Sequence, residues 1–145
     1  MDKSDNYWPC EVHVGCRSVS VKGWEQDQWY IKDLRMVPSA GATSLDLYLL
    51  LTDRLDYRMN LQTNKPLLFV LCQENSAGAM EAIHISATQT FAADYMDVED
   101  HLIIATPMPD IVIGFIESYL AKEGEGELPK KKKSRYNRGK KQRAQ

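Results

Sequence analysis

The sequence predicts an α+β fold: a largely antiparallel, curved sheet or open barrel of about six or seven strands, with one short helix and a C-terminal amphipathic helix. Three observations lead there. Short runs between residues 12 and 62 alternate apolar and polar residues with period two, and further short apolar runs follow up to residue 105. The connections between these runs are mostly shorter than the dozen or more residues that a parallel crossover needs. The last apolar stretch then changes to the helical period. With 145 residues, 43% of them apolar, the chain is long enough for one domain with a real core. No apolar run approaches the roughly 20 residues of a membrane span.

The elements follow in order. Over Val12–Val21 the apolar positions 12, 14 and 16 give way to 19 and 21, which predicts a bulge near Arg17–Ser18. Gly23 permits a turn, and residues 28–37 form a second strand that Pro38-Ser39-Ala40-Gly41 breaks. Residues 45–51 read as a third strand. Leu55, Tyr57, Met59 and Leu61 alternate with Asp56, Arg58, Asn60 and Gln62, which predicts a fourth. Pro66 opens an apolar run to Cys72 that suits a central strand, followed by another over 82–87. Thr88 is placed to cap a short helix over about 89–96. A last strand over 101–105 ends at Thr106-Pro107-Met108-Pro109. From Pro109 the residues Val112, Phe115, Ile116, Tyr119 and Leu120 form one apolar helical stripe.

Charge divides the chain. All 20 carboxylates lie in residues 1–128 with nine of the 18 basic side chains, so that part carries −11. The other nine basic side chains lie in residues 129–145 with no acid among them. This predicts an N-terminal arm over 1–10, a single globular domain over 11–123, and a Gly/Glu linker with a disordered basic tail over 124–145. The start, Met1-Asp2-Lys3-Ser4-Asp5-Asn6, lacks the basic and apolar regions of a secretory signal. Three cysteines, an odd number, suit reduced thiols in a cytoplasm.

No motif supports catalysis. There is no phosphate-binding glycine loop, no nucleophile elbow and no H-E-x-x-H. Cys10, His13 and Cys16 have the chemistry of zinc ligands, but on a strand His13 points away from the other two. Asp94, Asp97, Glu99 and Asp100 lack the glycine and ligand spacing of a calcium loop. The expectation is therefore no catalytic residue, no metal and no cofactor. An enzyme using Asp56, Arg58 or His84 is the remaining catalytic alternative.

Two features suit binding. Trp24 and Trp29 flank a turn and open a strand, and aromatic side chains of this kind make cores or contact hot spots. The basic tail, through Lys130, Lys131, Lys132, Lys133, Arg135 and Arg138, suits either phosphate backbones or an acidic protein surface.

The sequence resembles the uncharacterised bacterial proteins grouped as domain of unknown function family 3305. The resemblance rests on Trp24-x4-Trp29 and on Tyr57-Arg58-x-Asn60-Leu61 followed by Pro66–Leu71. Ser86-Ala87-Thr88 with Asp94-Tyr95, Pro107-Met108-Pro109 and the Lys/Arg-rich end complete it, over about residues 12–135. It implies a cytoplasmic accessory role beside formate dehydrogenase and molybdenum or tungsten enzyme assembly. It carries over no catalytic residues. The resulting expectation is a non-enzymatic binding protein contacting a formate dehydrogenase-type complex or its maturation factors through Trp24, Trp29, Tyr57 and Arg58. Binding of RNA or DNA through the tail is the alternative, and no membrane association is expected.

Overall fold

The computed structural model describes residues 4–124. Among these residues six strands form two separate three-stranded antiparallel sheets rather than one continuous sheet or barrel. They are β1 (Tyr7–Val21), β2 (Trp24–Arg35), β3 (Leu45–Tyr48), β4 (Leu67–Glu74), β5 (Met80–Ser86) and β6 (His101–Pro107). The orders are β2-β1-β3 and β5-β4-β6. Three helices complete the fold: α1 (Arg54–Leu61), α2 (Gln89–Tyr95) and α3 (Asp110–Glu123). The basic tail, including Lys130, Lys131, Lys132, Lys133, Arg135 and Arg138, lies outside the described residues.

The sheet is divided because the expected fourth strand is a helix. Leu55, Tyr57, Met59 and Leu61 alternate, yet Tyr57 and Leu61 are also one helical turn apart, and Arg54–Leu61 contains no β-branched residue. Asp53 and Asp56 favour the positive end of the helix. Tyr57 turns inward and is 2% exposed, while Met59 faces solvent. With this segment helical, no strand links the sheets. β3 and β1 lie against β5, and β2 reaches β6, without a hydrogen-bonded ladder between them.

The segment read as an arm supplies core. Tyr7, Trp8 and Cys10 are buried, and β1 pairs there with β3, Trp8 opposite Leu47 and Cys10 opposite Leu45. From Glu11 onward β1 changes partner and pairs with β2. Pro9 sits where β1 has only β3 beside it, so its missing N–H interrupts no second ladder. The register shift falls between His13 and Val14 rather than at Arg17–Ser18, and a second lies between Leu71 and Cys72.

The third strand, expected over 45–51, ends at Tyr48, and Leu51–Asp53 is a 3-10 turn, whereas β4, α2 and α3 agree with the sequence pattern. β4 is the central strand of its sheet, with Leu68, Val70 and Cys72 fully buried. Thr88 caps α2, its Oγ1 accepting from the Phe91 N–H at 3.3 Å. The α3 stripe of Val112, Phe115, Ile116, Tyr119 and Leu120 is buried. It meets Leu47, Leu49, Leu68, Val70 and Ile85 in one core. Aromatic edges join the layers: Phe115 stands at 88° to Trp8 at 5.0 Å, and Tyr119 at 77° to Tyr57 at 6.4 Å.

Candidate interaction surface

Beyond Cys16, β1 and β2 form a two-stranded ribbon whose outer residues are mostly exposed. Its turn is Lys22-Gly23, with φ of 52° and 84°. Positive φ at both positions is what a two-residue hairpin turn needs to match the twist of its strands, and glycine meets it without steric cost.

The ladder sorts the ribbon into two faces. Val14 opposite Ile31, Cys16 opposite Trp29, Ser18 opposite Asp27 and Ser20 opposite Glu25 share one face. At its root this face joins the core through Val12, Val14, Ile31 and Leu34. Gly15 opposite Tyr30, Arg17 opposite Gln28, Val19 opposite Gln26 and Val21 opposite Trp24 share the other, outward face.

The outward face is built by a close approach. A Cβ on Gly15 would meet Cζ of Tyr30 at 2.8 Å, so the tyrosine ring lies on bare backbone. Arg17 then covers that ring, its Cζ 4.5 Å from the centroid, and its Nε donates to Oε1 of Gln28 at 2.7 Å. At the far end Trp24 is 74% exposed and Val21 42% exposed.

The root of the ribbon is held by a buried carboxylate. Glu11 Oε1 accepts the Ser39 backbone N–H at 2.8 Å, and Oε2 pairs with Nε2 of His13 beside the bulge. The Ser39 N–H and then the His13 ring hold the carboxyl down at about 2. Because the folded value lies below the ordinary one of 4.5, charged Glu11 favours folding above about pH 4.5. That contribution is lost as pH falls from there through about 2. Urea unfolding at several pH values should therefore show wild type losing more stability between pH 5 and pH 2.5 than Glu11→Gln. Parallel acid limbs would remove Glu11 from this role.

The residues singled out from sequence do not form one surface. Trp24 and Trp29, five positions apart on a strand, lie on opposite faces of the ribbon. Tyr57 and Arg58 are on α1, against α3, not on a strand beside them. The buried Tyr57 hydroxyl accepts the Leu50 N–H at 2.8 Å, and burial raises its pKa. Arg58 Nη2 donates to Oε1 of Glu117 at 3.1 Å. These two serve packing between helices. Nothing in the sequence pattern marked Arg17 and Tyr30 as a pair, although a glycine inside a strand is itself a signal of close approach.

The chemical alternatives separate as well. Cys10 and Cys72 are buried, and burial pushes their thiols up to about 12 and about 11; Cys16 is exposed. Among the described residues no three His, Cys, Asp or Glu side chains gather as a metal site would require. Asp56 accepts from Thr90 Oγ1 at 2.9 Å, Arg58 pairs with Glu117, and the His84 ring lies 4.9 Å from that of Phe91. Asp94, Asp97, Glu99 and Asp100 are exposed.

The geometry defines a class: a small α+β domain that presents a β-ribbon bearing aromatic and cationic side chains. The chain belongs to the family described as protein of unknown function (DUF3305), whose model matches residues 37–134. That match spans β3 to α3 and ends within the basic segment, so Trp24 and Trp29, expected to lie inside it, precede it. No curated protein matched the chain, and no solved structure did. No helix among the described residues is long and apolar enough to cross a membrane.

Proposed function

We propose that this protein is a non-enzymatic binding module that assists assembly or activity of a formate dehydrogenase-type complex, with the β1–β2 ribbon as its contact arm. The observation that carries the binding role is the 74% exposed Trp24 on a ribbon that also displays Arg17 and Tyr30. Tryptophan, tyrosine and arginine are the residue types that dominate contact hot spots. An exposed tryptophan gives up a large apolar area to water, which a partner recovers. The choice of complex rests on the family resemblance, and the basic tail supports it by steering an acidic partner.

The test is formate dehydrogenase activity in cells lacking the protein. Activity should fall and be restored by the wild-type chain, with Trp24→Ala restoring about tenfold less at limiting expression. Unchanged activity in the deletion strain would overturn the reading. A second reading rests on the nine basic and no acidic side chains in residues 129–145. If the tail grips nucleic acid, a chain ending at residue 128 loses that binding, and affinity of the full chain falls steeply with salt.

A further inference from the structure

We infer that the ribbon engages its partner through the outward face alone, and that this face fits an apolar cleft rimmed by carboxylates on another protein. The inference deepens the proposed binding role and rests on it. The two faces of the ribbon are chemically unlike. The outward one holds Tyr30, Arg17, Val19, Val21 and Trp24 with two glutamines, and has no acid from Gly15 to Tyr30. The opposite one holds Cys16 and Trp29 toward its root and then Glu25 and Asp27 with two serines, and Ser18 Oγ donates to Oε1 of Glu25. The outward face therefore combines exposed apolar area with Arg17, and Lys22 adds a second cation at the turn.

This face is arranged before any partner arrives. Gly15 seats the Tyr30 ring, the ring seats the guanidinium, and Gln28 holds its Nε, so Arg17 loses little side-chain freedom on binding. An arginine fixed on an aromatic ring beside apolar side chains suits a carboxylate at the edge of an apolar cleft. The basic segment, residues 129–145, points the same way, since it would draw an acidic surface toward the molecule. A nucleic acid fits this face poorly. A line of phosphates would meet only two cations there, Arg17 and Lys22.

Site-specific photo-cross-linking in cells tests this with the full chain. p-Benzoylphenylalanine is placed at Val21, on the outward face, or at Ser20, on the opposite one, and adducts are digested and mapped by mass spectrometry. The expected result is a protein adduct from position 21 at least about tenfold stronger than from position 20. Its peptide should be flanked by Asp or Glu, and Arg17→Glu or Trp24→Ala should reduce its yield about tenfold. Lysine in place of the partner carboxylate should restore the yield with Arg17→Glu. Adducts from position 20 alone would overturn the face assignment while leaving the binding role intact. No adduct from either position would overturn both. A nuclease-sensitive adduct, or a peptide without carboxylates, would overturn the acid-rimmed cleft. A carboxylate-flanked peptide from a protein unrelated to formate dehydrogenase would support the face and remove the proposed complex.

Discussion

Replacing Trp8 by alanine should lower the unfolding free energy by about 3–5 kcal/mol, the usual range for truncating a buried tryptophan. Against a total of roughly 5–15 kcal/mol, that is enough to leave a large unfolded fraction. Trp8 is 7% exposed, its Nε1 donates to the Met36 carbonyl at 2.6 Å, and its ring meets the edge of Phe115 at 5.0 Å. It thus ties β1 to the end of the hairpin and to α3. Trp8→Phe keeps much of the packing but leaves the Met36 carbonyl without its donor, and should cost about 1–3 kcal/mol. Guanidinium unfolding of the three proteins gives the comparison. A loss below about 1 kcal/mol for Trp8→Ala would show that β1 contributes nothing to the core before Glu11.

Asn60→Ala should cost about 2–4 kcal/mol although it removes no apolar surface. Its Nδ2 donates to the Leu67 carbonyl at 2.8 Å and to the Ala87 carbonyl at 2.7 Å, while Oδ1 accepts the Leu67 N–H at 3.1 Å. One side chain on α1 therefore joins the start of β4 to the chain just after β5. Alanine leaves three backbone groups without partners. Asn60→Asp keeps the acceptor but turns a donor into a carboxylate facing two carbonyls, so it should be at least as damaging at pH 7. Acid should recover part of that loss, because a protonated carboxyl donates one bond. Stability within 0.5 kcal/mol of wild type for both variants would show that water replaces these bonds.

The two outcomes bear on how a family of this kind is read. Tyr57 and Arg58 read from sequence as contact residues, yet Tyr57 fills the core, Arg58 joins α1 to α3 through Glu117, and the neighbouring Asn60 bonds backbone. The stretch encodes a helix-to-sheet junction. The ribbon that carries the exposed tryptophan precedes the matched region.

The residue pattern alone specifies the elements whose period admits one reading. The α3 stripe, the fully apolar β4 and the Thr88 cap are local patterns, because each depends on spacing within a few residues. It also determined the charge division, which is a matter of counting. Long-range packing and register set the rest. Over eight residues, inward positions four apart serve a strand or a helix equally, and packing of Tyr57 against Tyr119 chose the helix. Pro9 hid a core strand, because its place is allowed only where β1 has a single neighbour. Which face of the ribbon met the core depended on the register set at the His13–Val14 bulge, since a one-residue shift exchanges the faces. Strand alternation separates Trp24 from Trp29, five positions apart, and the hairpin register put Trp24 beside Val21 on the Arg17 face.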